Sequence, residues 1–158
     1  MANSRDLNLL QFATRMAEPM GELFQMDGEI QPTWVIEGSS GLTVIGTPWR
    51  NDYEKEQMVG AVKEKMRQEK ASRYVQLAEV WTLEADDLPE SIKLGGRVSS
   101  HPKRREAFMA MAEDKQGNIV HIVRFINREG DNVTLSEPQV REFKDIETTG
   151  LMTHLLED

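Results

Sequence analysis

Hydrophobic and polar positions alternate along this chain with two clear periods. Leu7, Leu10, Ala13, Met16, Ala17, Met20, Leu23 and Phe24 recur at helical spacing, with Asn8, Gln11, Thr14, Arg15 and Glu22 between them. This predicts an N-terminal helix, N-capped at Ser4 and ended at Asp27-Gly28. Pro19 lacks an N–H and clashes with the preceding turn, so the helix is expected to kink or restart there. The β-branched runs Thr33–Glu37 and Leu42–Thr47 flank Gly38-Ser39-Ser40-Gly41 and predict a hairpin that Pro48 ends. Asn51 to Ala71 reads as a long helix. Asn51 and Glu54 form a capping-box pattern, and Met58, Val59, Val62 and Met66 make one apolar stripe.

Arg73 to Glu84 is the strongest strand signal. Val75, Leu77, Trp81 and Leu83 alternate onto one face, and the same register places Glu79 among them. After a loop from Ala85 to Lys103, two further strands are predicted at Arg105–Glu113 and Asn118–Arg128. They are joined by Asp114-Lys115-Gln116-Gly117, where glycine suits a positive φ. Val133–Leu135 fits a short strand and Thr149–Leu156 a short C-terminal helix, while 137–148 gives no clear period. The order lacks βαβ alternation, which argues against a doubly wound nucleotide fold. The expectation is one α+β domain over 1–158. It has a mostly antiparallel sheet of about five strands, helix 51–71 on one face, and the N-terminal helix on that same face or at an edge.

Composition bounds the chemistry. The chain has 158 residues, enough to bury a substantial core without cross-links. It has no Cys, which removes disulfides, thiol catalysis and Cys-based metal sites. No apolar run approaches bilayer length and no leader pattern opens the chain, so the expected setting is the cytoplasm, away from membranes. A net charge of −8 disfavours general nucleic-acid binding, which draws its affinity from Lys and Arg. The charge is uneven. Glu84, Asp86, Asp87 and Glu90 form an acidic run, and Arg97, Lys103, Arg104 and Arg105 a basic one. The basic run either pairs with the acidic one or holds an anion through the forked donors of Arg104 or Arg105.

The familiar catalytic motifs are missing. There is no Gly-rich phosphate loop, no His-Glu-x-x-His and no Gly-x-Ser-x-Gly. His101, His121 and His154 show no metal-ligand spacing, and no cofactor or metal is implied. His121 shares a strand face with Ile119, Val123 and Phe125, as a hydrogen-bonded core histidine would. Glu79 is the candidate acid. On an apolar face it is expected to be mostly buried beside a base or donor; the structural alternatives are an ion pair with an Arg, a hydrogen bond to His121, or a sheet face that is not buried at that point. Trp34 and Trp81 read as core residues. Trp49, before the long helix, is the tryptophan expected at a binding surface. Most of the nine Met residues fall on helix or strand stripes and read as core.

The segment Val75-Gln76-Leu77-Ala78-Glu79-Val80-Trp81, the loop His101-Pro102-Lys103-Arg104-Arg105-Glu106 and the strand end Ala112-Glu113-Asp114 resemble a pattern in small proteins of bacteria and their phages. That pattern joins a Glu-small-Trp strand to His-Pro-x-Arg-Arg-Glu and Ala-Glu-Asp. It covers about a quarter of the chain and departs at Val80, where the pattern has Ala. It carries no assigned activity and implies only a bacterial or phage cytoplasm. Two functional classes follow. The first is a non-catalytic interaction protein, docking a protein partner or a second copy, with a symmetric homodimer as the expected assembly. The second is a small hydrolase or ligand-binding enzyme using Glu79, His101 and Arg105, which requires those groups to converge in one pocket.

Overall fold

A computed structural model describes residues 7–48, 51–82 and 105–144. Ser4, Trp49, the loop carrying His101 and Arg104, the acidic run at 84–90, and the C-terminal segment with His154 and the expected short helix lie outside these residues.

Two helices and seven strands follow in the order α1 (Leu9–Asp27), β1 (Thr33–Gly38), β2 (Gly41–Gly46), α2 (Asp52–Glu69), β3 (Arg73–Thr82), β4 (Arg105–Asp114), β5 (Asn118–Glu129), β6 (Asn132–Leu135) and β7 (Gln139–Lys144). The strands form one antiparallel sheet in the order β2-β1-β3-β4-β5-β6, with β7 also paired to β5. The α+β class and the 105–128 hairpin beside β3 are as the pattern predicts. The sheet has seven strands rather than five, because the acidic stretch after Gly130 supplies two more. Ile126 pairs with Leu135, and Val123 with Gln139. Three outer residues, 136–138, therefore face two inner ones, 124 and 125, which is a bulge. Ser136 secures it. Its N–H donates to the Phe125 carbonyl at 2.9 Å, its Oγ accepts the Phe125 N–H at 2.8 Å, and its carbonyl accepts Arg124 Nε at 2.9 Å.

Directly paired residues share a face. Val35, Val75, Ala112 and Val120 therefore line one side of the sheet, with Leu77, Ala110 and Ile122 beside them. Helix α1 covers this side through Leu9, Phe12, Ala13, Ala17 and Phe24. The small side chains of Ala110 and Ala112 leave room for it. Helix α2 packs Val59, Val62 and Met66 against Trp34, Ile36 and Tyr74, which have the opposite parity. The two helices thus lie on opposite faces, not on the same face or at an edge. All six residues of β1 are buried, as expected for a strand covered on both sides.

The caps explain the helix limits. Asn8, not Ser4, caps α1. Its side chain accepts the Gln11 N–H at 2.8 Å, and Gln11 Oε1 accepts the Asn8 N–H at 2.9 Å. The helix runs on through Pro19 as one element and ends at Gly28, whose φ of 78° suits glycine and whose N–H donates to the Phe24 carbonyl at 2.7 Å. Asn51 caps α2 as predicted, accepting the Glu54 N–H at 2.8 Å. The other end of α2 abuts the β1–β2 turn. The Ser39 N–H donates to the Glu69 carbonyl at 3.0 Å, and a Cβ on Gly38 would lie 2.5 Å from that same oxygen.

One buried ion pair ties α1 to the sheet. Arg73 Nε lies 3.0 Å from Glu37 Oε1 and its second nitrogen 3.3 Å from Oε2, with the side chains only 10% and 6% exposed. The third nitrogen donates to the Leu7 carbonyl at 2.6 Å, and the guanidinium sits 4.2 Å from the centre of the Phe12 ring. Each polar edge of the group is thereby matched, which the desolvation of a buried charge demands.

Candidate functional site

Glu79 stands on β3 opposite Phe108, on the α1 face, as the alternation predicts. It is exposed rather than mostly buried, since α1 ends at Asp27 and leaves this part of β3 uncovered. The expected cationic partner is present and is Arg128 of β5. One Arg128 nitrogen lies 3.2 Å from Glu79 Oε1, Nε lies 3.3 Å from Glu106 Oε2, and the remaining nitrogen donates to the Gly28 carbonyl at 3.3 Å. The Ile30 N–H points to Glu79 Oε2 at 3.5 Å. A single guanidinium therefore links β3, β4, β5 and the C-terminal cap of α1. Desolvation is the main cause that raises the Glu79 pKa. Glu106 and Glu29 add to it, while the Ile30 N–H and Arg128 oppose it.

The other candidates do not join Glu79. Arg105 pairs with Thr82, whose parity is opposite to that of Glu79, and its guanidinium lies 4.1 Å from the centre of the Phe125 ring on the far face. His121 pairs with Met111 and Arg141, also on the far face, so it is not the partner of Glu79. Burial, aided by Arg141, lowers the His121 pKa to about 4, which keeps the imidazole neutral at pH 7. Trp34 is buried with its indole N–H donating to Thr47 Oγ1 at 2.7 Å. Trp81 is exposed rather than core, two residues beyond Glu79 on the same uncovered stretch of β3. Among the described residues no three His, Asp or Glu side chains group as metal ligands, and no helix is long and apolar enough to cross a membrane.

Beside Glu79 an open groove of about 700 Å³ runs between the second half of α1 and the start of β1. Met20, Leu23 and Ile30 form its apolar wall, Asp27, Glu29 and Glu79 its acidic rim, and Gln31 and Thr33 complete the lining. Among the described residues no base lines it. The sequence pattern missed this groove because its walls come from α1 and from the loop 28–32. The one available signal was Leu23 and Met20 on a helix ending at Asp27, with Glu29 just beyond its cap. A second hollow, about 710 Å³, lies at the start of α1. Its charged groups include Arg73, held by Glu37 and Leu7, and Asp114, whose carboxylate accepts the Gln116 and Asn118 N–H groups at 2.9 and 3.0 Å.

Comparison with protein-family models, with curated proteins and with solved structures gave no match.

Proposed function

We propose that this chain is a non-catalytic interaction protein that docks an apolar segment carrying Lys or Arg into the groove beside Glu79. The observation that carries the reading is the composition of that groove. Apolar side chains from α1 form a wall open to solvent, and among the described residues all the charge on its lining is negative. A basic amphipathic segment matches both features, with an apolar anchor against Met20 and Leu23 and its cations at Asp27 and Glu29. Glu79 then acts as a rim charge whose position Arg128 fixes. The enzyme reading has less support, because the sheet separates Glu79 from Arg105 and a shared pocket needs both on one side. The bacterial or phage cytoplasm implied by the sequence pattern is the setting we infer.

The test compares proteins retained from bacterial extract by the wild-type chain, by Leu23→Asp and by Glu79→Gln, with quantitative mass spectrometry. The reading expects a specific partner that Leu23→Asp loses and Glu79→Gln largely keeps. Equal retention by all three chains would remove the groove from the account.

A further inference from the structure

The sheet has two edges, and they are protected very differently. On one side Pro138 and the bulge at 136–138 interrupt the outer strand, and β7 carries Arg141 and Glu142. These are the devices by which sheets avoid pairing with other chains. On the other side β2 reads Gly-Leu-Thr-Val-Ile-Gly, with no charge, no proline and no bulge, and all six residues pair regularly with β1. No described strand pairs with its outer side.

The β1–β2 turn sets which groups face outward. Gly38 and Gly41 close a two-residue turn, so Gly41, Thr43 and Ile45 bond to β1 while Leu42, Val44 and Gly46 direct their N–H and C=O groups away. The Thr47 N–H donating to the Pro32 carbonyl at 2.8 Å fits this alternation. Leu42 and Val44 are also the side chains left 45% and 67% exposed. Backbone groups and apolar surface thus coincide on the same residues.

We propose that β2 pairs antiparallel with β2 of a second copy about a two-fold axis through Val44. Only this register opposes outward-facing residues throughout. Val44 meets the other Val44, and Leu42 meets Gly46, over which the Gln31 side chain lies. The self-matching register fits a second copy as the occupant, because the outward-facing residues of β2 oppose one another about the two-fold axis. Two chains of net charge −8 repel each other, and β2 is an edge on which self-pairing sets no like charges opposite one another. A lone strand pair covers less than the ~1,200 Å² of a standard stable interface, so the dimer dissociates on dilution. The proposal stands whether or not the groove beside Glu79 holds a partner.

The absence of Cys makes the test direct. In the proposed register the two Val44 Cα atoms lie about 5.5 Å apart, within disulfide reach, whereas the two Thr43 Cα atoms lie beyond about 7 Å. Val44→Cys and Thr43→Cys are oxidised with copper–phenanthroline at equal concentration, after circular dichroism shows wild-type spectra. We expect a reducible covalent dimer from Val44→Cys at several times the yield from Thr43→Cys. Sedimentation of the wild type should show a monomer–dimer equilibrium that Val44→Lys shifts to monomer. Equal or absent cross-linking of the two Cys variants overturns the register. A wild type that sediments as monomer at every concentration overturns the dimer.

Discussion

Replacing Arg128 by Met tests whether Glu79 is held by a structural hub. Met keeps much of the apolar stem and removes the guanidinium. The variant loses two ion pairs, at 3.2 and 3.3 Å, and the bond to the Gly28 carbonyl. The three side chains are 31–42% exposed, so solvent screens them and each pair contributes roughly 0.2–1 kcal/mol. Adding roughly 0.5–1 kcal/mol for the carbonyl bond gives a loss of about 1–3 kcal/mol. Glu79→Gln behaves differently. The single amide oxygen keeps the Arg128 bond and gives up the 3.5 Å contact to the Ile30 N–H, Arg128 still holds Glu106, and the desolvated charge is gone, so stability should change by less than about 1 kcal/mol. Native Glu79 keeps its proton to higher pH than the unfolded chain does, so ionising it costs stability. The Gln variant therefore gains slightly on the wild type as pH rises through that range. In the double variant the loss should be smaller than for Arg128→Met alone, since Glu79 and Glu106 no longer face each other uncompensated. Urea titrations at low and high salt measure all four corners of the cycle. A Glu79→Gln loss above about 2 kcal/mol, or no loss in Arg128→Met, would refute this reasoning.

Two further outcomes follow from buried charge. His121 has a pKa near 4 in the fold and an ordinary unfolded value of about 6.5, so its stabilising contribution is complete above pH 6.5 and is lost as pH falls towards 4. The loss is at most about 3 kcal/mol, reduced by the partial exposure of the ring, and the difference in stability between wild type and His121→Gln across pH 4–7 should show it. Glu37→Ala strands the buried Arg73 and should cost about 3–5 kcal/mol in urea unfolding, whereas replacing both residues by Leu should cost less than either single change.

Alternation revealed most of the sheet in the sequence. The strands at 105–128 and the turn at Gly117, with φ 83°, follow from period-2 patterning and one glycine. Alternation identifies a face but not how far its cover extends, so it puts Glu79 and Trp81 on the correct side without showing that α1 stops short of them. The helix faces were missed for a related reason. Thr33–Glu37 lacks alternation, and that was itself the sign of a strand buried on both sides. Asn8 and Gln11 carried the cap signal three residues apart, but the apolar stripe beginning at Leu7 drew the helix start upstream. The bulge at Ser136 broke the period of the last strands, which hid β7.

The docking account is tested most directly by titrating the ¹⁵N-labelled chain with a synthetic Leu/Lys amphipathic peptide and following amide shifts. The account predicts saturable shifts confined to Met20–Thr33 and to β3 around Glu79. They should weaken with salt and be lost in Leu23→Asp. An absence of shifts there, or shifts that Leu23→Asp leaves intact, would contradict it.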